Sequence, residues 1–356
     1  MTPVAAFVSF RLGGNDGVSV AAESWRRVLH GLGFTTRTIA GEGPVDVIVP
    51  GLAIEAAAPP ADDEVGAALD GVDLVVVENL LTIPMNLPAS RVVARVLRGR
   101  PSILHHYDPA WQRARFLEVT ELPPDDPAWR HVAINALTRN ELADRGIAAT
   151  TVYIGLDPDP SPGDRHATRA ALGVADDEVL VLHPVRAIAR KDIPAAVRLA
   201  EALGATYWLT GAAEEGYGPR LDAVLAMASC RVLHRPMPGT MSDAYAAADV
   251  VAFPSTWEGF GIPPVEAALH RRPAVVGRYP VADELRALGF RWFEPHDAEG
   301  VAAHLARPDP ALLDANRAVA VRHLSLDRVT ETLGAVLDEA GWLPVRAGGR
   351  DPVGAA

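Results

Sequence analysis

The sequence holds a single cysteine, Cys230, which excludes an internal disulfide and any zinc site built on cysteine pairs. Aromatic residues make up only 6% of the chain. No apolar run approaches the roughly 20 residues needed to cross a bilayer, so stable membrane insertion is not expected. Basic blocks are missing as well: 33 Lys and Arg stand against 45 Asp and Glu, for a formal net charge of -12. That charge repels a phosphodiester backbone and argues against nucleic acid as a partner. The N-terminus has no basic region ahead of its apolar residues. It runs from Val4 to Phe10 straight into the glycine-rich stretch Gly13 to Gly17, so it reads as a first strand and not a secretory signal, and a cytoplasmic location is expected.

What is present is the composition of a soluble globular protein, with 49% hydrophobic residues in 356, a length that fits two domains better than one core. Short β-branched runs alternate with amphipathic stretches. Val4–Phe10, Val45–Val49, Leu74–Glu78 and Ser102–His106 read as strands, and Val20–Leu32 as a helix, which is a βαβ rhythm. The rhythm restarts after Thr151–Gly155, with strands expected at Val179–Pro184, Thr206–Thr210, Arg231–His234, Val250–Pro254 and Pro273–Val276, so the fold class is α/β with two parallel sheets. The proline-bearing segment Gly155–Gly163 is the expected hinge. Domains are therefore expected over 1–155 and 156–325. A helix follows over 326–343, apolar on one face at Leu326, Val329, Leu333, Val336, Leu337 and Ala340, and then a Gly/Pro/Ala/Arg-rich tail over 344–356.

The most informative stretch is Phe253–Glu266, FPSTWEGFGIPPVE, in which Glu258 and Glu266 flank seven residues that include Gly259, Phe260, Gly261, Pro263 and Pro264. It follows a predicted strand and opens a predicted helix. In an open α/β sheet that transition lies at the carboxyl end of the strands, where backbone N–H groups and the helix dipole favour an anion. A carboxylate on either side can accept paired hydrogen bonds from sugar hydroxyls, Glu258 from a transferred sugar and Glu266 from a ribose. The plainer alternative makes Glu258 a solvated loop residue and Glu266 a helix-start carboxylate favouring the dipole by ~0.3 to 1 kcal/mol.

At these residues the chain resembles the family 4 (group 1) retaining glycosyltransferases of GT-B fold, whose hallmark is a Glu, seven residues, Glu pattern in the second domain. The resemblance implies two Rossmann-like domains facing across a cleft, with a C-terminal helix crossing back to the first. Arg186 and Lys191 in HPVRAIARK match the family's paired Arg and Lys on the donor diphosphate, a planar fork and a mobile point charge. Arg190 competes for either role. In RLGGNDGVSV a glycine turn stands where the family touches the donor phosphate. Gly17 is preferred, then Gly14 and Gly13, although such turns are common.

Ser102–Arg115 ends a first-domain strand with His105, His106, Tyr107 and Asp108, where the family commonly has a His-Asp pair. This sequence departs from that pattern, since Tyr107 directly precedes Asp108. His106 is the catalytic candidate and Tyr107 the substitute, on opposite faces by strand alternation. Glu78, Asn79 and Asn86, with Trp111 and Arg113, are candidates for an acceptor pocket, Trp111 as a flat face for a sugar ring and Arg113 as a charge for an acid or a phosphate; loop packing explains them at least as well. Asp157 and Asp159 do not read as a metal motif, since they lie among prolines in the hinge. No metal and no cofactor is expected, because the resemblance implies that Arg and Lys neutralise the diphosphate.

The implied activity is transfer of a hexose from a UDP- or GDP-linked sugar to a hydroxyl of a small polar acceptor. The anomeric configuration would be retained by front-face attack, a phosphate oxygen taking the proton. Arg186, Lys191 and the helix dipole would carry more of the rate than His106. The alternatives are a sugar phosphorylase on the same fold and a noncatalytic sugar- or nucleotide-binding protein.

Overall fold

The protein is described from a computed structural model, which covers residues 2–14 and 16–344. The chain divides into two compact units, one formed by the residues up to Gly155 together with those from Leu326 onward, the other by Leu156–Ser325. The expected tail over 344–356 lies, apart from Pro344, outside the described residues.

The first unit is a seven-stranded parallel sheet of β1 (Val4–Arg11), β2 (Thr35–Glu42), β3 (Val47–Ile48), β4 (Leu74–Glu78), β5 (Ser102–His106), β6 (Trp129–Ala133) and β7 (Ala149–Thr151), in the order β3-β2-β1-β4-β5-β6-β7. Its strands alternate between two cores, as a sheet covered on both faces requires. Ala6, Val8, Val75, Val77 and Leu104 belong to one core; Ala5, Phe7, Leu74, Val76 and Ile103 belong to the other. The second core is closed by Trp25, Val28 and Leu29 of the helix Gly17–Gly31 and by Val329, Leu333, Val336 and Leu337 of the helix Leu326–Glu339. Those four residues recur at the spacing of one helical face. Gly155 tolerates no side chain, since a Cβ there would meet Val329 Cγ2 at 2.5 Å.

The second unit is a five-stranded parallel sheet of β8 (Leu180–His183), β9 (Thr206–Leu209), β10 (Val232–His234), β11 (Val250–Phe253) and β12 (Ala274–Val276), ordered β10-β9-β8-β11-β12. Both sheets reverse strand order beside their own first strand, at β1/β4 and at β8/β11. In open α/β sheets that reversal parts the following loops and leaves a crevice at the carboxyl ends. No described helix is long and apolar enough to cross a membrane.

Candidate active site

In the second unit the loops leaving β8 and β11 meet at the reversal point. Thr256 N–H donates to the Arg190 carbonyl at 2.9 Å, and Arg190 Nη1 donates to the Trp257 carbonyl at 3.0 Å. The Glu258 carboxylate lies between two cations: Lys191 Nζ donates to Oε1 at 2.6 Å, and Arg190 Nη1 donates to Oε2. Glu258 is 7% exposed and Lys191 8%, and the Lys191 ammonium also stands 4.9 Å from the centre of the Phe253 ring. Burial pushes the Lys191 ammonium down to about 8, with Glu258 opposing and Arg190 reinforcing the shift. Burial pushes the Glu258 carboxyl up, but the pull of Lys191 and Arg190 is stronger and leaves it below its usual value, so it is ionised at neutral pH. At the end of β8, His183 is driven down to about 3 by burial and then by Lys191, which removes it as a neutral-pH acid.

Arg186 is not part of this cluster. Its Nη1 donates to Glu214 Oε2 at 2.6 Å, and its side chain is 38% exposed. Arg190, read in the sequence only as a competitor, is the arginine on Glu258; its place beside Lys191 at the β8/β11 reversal becomes visible only once the strand order is known.

After Glu258 the chain turns through Gly259 and Phe260 to Gly261, whose φ of +103° caps the helix Ile262–Leu269. A Cβ at Gly261 would meet the Tyr279 hydroxyl at 2.5 Å, so glycine is required there for both backbone and space. Pro263 and Pro264 remove two of the first four amide donors of that helix, which narrows the expected anion cradle to the dipole and the remaining N–H groups. Glu266 lies in the second turn and is no helix-start carboxylate. Its Oε2 accepts the Tyr245 hydroxyl at 2.7 Å, and burial raises its pKa while that hydrogen bond pulls the other way.

In the first unit the glycine turn is closed by Asp16, which caps the helix Gly17–Gly31 by accepting from the Val18 and Ser19 amides, each at 3.1 Å. Gly14 N–H donates to Ser19 Oγ at 3.2 Å, and Gly13 has φ +82°. An anion approaching Gly17 or Gly14 therefore meets a carboxylate already on the cap, which weakens the expectation of a phosphate loop there.

His106 requires a correction. Its side chain is fully buried, with Nδ1 2.7 Å from Thr82 Oγ1 and Nε2 2.8 Å from His131 Nδ1, while His131 Nε2 is 3.1 Å from Asp125 Oδ1. One tautomer set satisfies the whole row: Thr82 donates to His106, His106 to His131, and His131 to Asp125. Burial lowers both imidazoles, aided at His106 by His131 and His105 and opposed at His131 by Asp125. Both rings are neutral and both nitrogens of His106 are engaged, so it is a core residue here and not an exposed catalytic base.

Tyr107, the substitute, is buried as well. Its hydroxyl donates to Glu78 Oε2 at 2.7 Å, an oxygen that is also 2.8 Å from His105 Nδ1, and burial raises its pKa, followed by the Glu78 charge. His105 stacks on Trp25 with ring centres 4.0 Å apart. Asn79, at φ +61°, donates to Asp108 Oδ1 at 2.7 Å, and Arg113 Nε donates to Asp108 Oδ2 at 2.6 Å. The structure thus brings Asn79, Asp108 and Arg113 together, with the arginine's charge matched by Asp108.

Trp111 packs against Ala133, Leu142 and Ile147 and carries the Arg145 guanidinium 3.9 Å over its ring, which corrects the expectation of a free face for a sugar. Asn86 is a helix cap, accepting from Ala89 N–H at 3.2 Å and donating to the Gly51 and Ala53 carbonyls. Asp159 accepts from Arg317 at 2.6 Å. Among the described residues no group of three or more His, Cys, Asp or Glu could hold a metal ion.

Residues 164–308 match the family model described as Glycosyl transferases group 1. The second unit is a group 1 glycosyltransferase domain. The mannosylglucosylglycerate synthase of Thermotoga maritima is 23% identical to this chain, covering 92% of it and 98% of the relative. The D-inositol 3-phosphate glycosyltransferase of Mycobacterium avium is 32% identical over 51% of this chain and 47% of its own length, so the chain spans about half of that relative. Among solved structures, Anabaena HepE in complex with UDP and glucose matches 95% of this chain and all of its own, with a TM-score of 0.75 at 20% identity. The fold is that of the GT-B glycosyltransferases, and a chain built on this group 1 domain is a glycosyltransferase.

Proposed function

We propose that this glycosyltransferase moves a hexose from a nucleotide diphosphate sugar, UDP-linked by preference and GDP-linked otherwise, to a hydroxyl of a small polar acceptor, with retention of configuration and without a metal. The observation that carries this reading is the buried Lys191–Glu258–Arg190 cluster at the β8/β11 reversal point. A diphosphate placed there meets the Lys191 ammonium, whose charge is held in low dielectric and so acts strongly on a departing phosphate. Glu258 keeps that ammonium charged and offers carboxylate oxygens to sugar hydroxyls, while Glu266 faces the ribose. Arg186 lies on the same loop and reaches the diphosphate by leaving Glu214.

The bond from the anomeric carbon to the phosphate oxygen breaks as the acceptor oxygen attacks the same face, and the leaving phosphate takes the acceptor proton. No protein base is then required, which agrees with the neutral, fully engaged His106. The UDP and glucose named for HepE support the donor class. The names of the Thermotoga and Mycobacterium relatives, a glycerate glycoside synthase and an inositol phosphate glycosyltransferase, support a small polyhydroxylated acceptor. A cytoplasmic site of action belongs to the same reading and suits a chain with a single unpaired cysteine.

The test is incubation with UDP-glucose or GDP-mannose and small polyols or sugar acids, following nucleotide release and the anomeric coupling of the first product by proton NMR. Acceptor-dependent release, an α product from an α donor and full activity in EDTA are expected. A β product would overturn retention, metal-dependent recovery after EDTA would overturn the phosphate clamp, and a requirement for inorganic phosphate would indicate a phosphorylase.

A further inference from the structure

We propose that Tyr245 is the positioning residue for Glu266, holding one carboxylate oxygen so that the other is presented to the hydroxyls of the nucleotide's ribose. The inference rests on the donor reading given above.

Glu266 is the fifth residue of the helix Ile262–Leu269, past the first turn, so it has no capping task. The only hydrogen bond of its carboxylate among the described residues is the one Tyr245 donates to Oε2 at 2.7 Å, which leaves Oε1 without a protein donor. A glutamate in that position would ordinarily sample several rotamers. Here it is tied to a group that cannot move. Tyr245 is fully buried, its ring stacks on His270 with centres 5.0 Å apart, and its carbonyl accepts from Arg272 Nε at 2.9 Å. The hydroxyl also lies 3.3 Å from the Pro263 carbonyl, but it has one proton and the carboxylate is the nearer, charged acceptor.

A buried tyrosine hydroxyl needs some acceptor in any case, and the Pro263 carbonyl alone would have met that need. What a purely structural hydroxyl does not explain is its use on a carboxylate whose second oxygen has no partner.

The experiment titrates UDP and 2′,3′-dideoxy-UDP into the wild type, Tyr245→Phe and Glu266→Gln by calorimetry, with donor kinetics alongside. The wild type is expected to prefer UDP and Glu266→Gln to lose that preference. Tyr245→Phe should bind UDP about tenfold to a hundredfold more weakly, the range expected for one charged hydrogen bond, and bind the dideoxy analogue within about twofold of the wild type. Donor KM rises while kcat is kept. If Tyr245→Phe keeps the wild-type preference and Glu266→Gln loses it, the donor reading stands and Tyr245 is merely structural. Should Glu266→Gln itself keep the preference, the ribose assignment fails and the inference with it. If Tyr245→Phe folds poorly, 4-aminophenylalanine in its place, which retains a donor, should keep the preference, and 4-fluorophenylalanine, which has none, should lose it; equal behaviour of the two overturns the proposal.

Discussion

Glu258→Gln isolates the electrostatics of the site. Glu258 is 7% exposed and joins Lys191 and Arg190, whose side chains are 11% and 22% exposed, so the substitution leaves two cations without their shared anion. Removing one partner of a buried pair costs about 3 to 5 kcal/mol; partial solvation of Arg190 lowers the expectation here to about 2 to 3 kcal/mol. The loss depends on pH in a definite direction. Burial already holds Lys191 down at about 8, and Glu258 is the largest influence opposing it, so the lysine falls further in the variant. Its unfolded value is about 10.4. Between the folded and unfolded values the unfolded chain binds more protons, so stability from this group rises with pH. The variant can release the lysine proton at lower pH than the wild type, and the stability gap therefore narrows as pH increases. Melting temperatures of both proteins at pH 6.5 and pH 9.5 measure it. A gap that is constant or wider at the higher pH would refute the buried-pair argument.

Other expectations follow from the same distances. UDP affinity and kcat/KM for the donor should decline as pH rises through about 8, because the Lys191 cation is the binding form; a flat profile to pH 9.5 would count against its role. Glu266→Ala should weaken UDP binding, whereas Glu258→Ala should mainly lower turnover, and equal loss of affinity in both would remove the assignment. Arg186→Ala should cost under about 0.5 kcal/mol of stability, its partner being the exposed Glu214, while Arg190→Ala should cost more and lower turnover, as thermal melts and initial rates will report. His106→Ala should lose about 3 to 5 kcal/mol by leaving Thr82 Oγ1 and His131 Nδ1 unpartnered beside a cavity; its folded fraction should turn over within about twofold of the wild type.

The five strands of the second sheet were legible because four are short buried runs and the fifth, Val232–His234, is a short apolar run framed by Arg231 and Arg235. In the first sheet β2, β6 and the three-residue β7 escaped. Thr35–Glu42 reads TTRTIAGE, polar and half exposed at its start, and Trp129–Ala133 carries Arg130 and the paired His131, so neither shows an apolar strand pattern. Glu258 and Glu266 could be singled out because the one segment that leaves β11 and opens the next helix carries both at a sheet's carboxyl edge, whereas Lys191, on the loop after β8, was singled out through the family resemblance. His106 was misread for a physical reason. Strand alternation shows that it opposes Tyr107 but not what covers either face, and its cover, Thr82 and His131, comes from segments that no local pattern links to it. Tyr245 left no local signal at all, since it reaches Glu266 from a different helix.

The claim that the donor diphosphate is held in the second unit by Lys191 is tested most directly by calorimetric titration of UDP into Lys191→Met, with His106→Ala as the first-unit control. The account predicts at least tenfold weaker binding in Lys191→Met and wild-type binding by folded His106→Ala. Undiminished binding in Lys191→Met, with loss in folded His106→Ala, would contradict it.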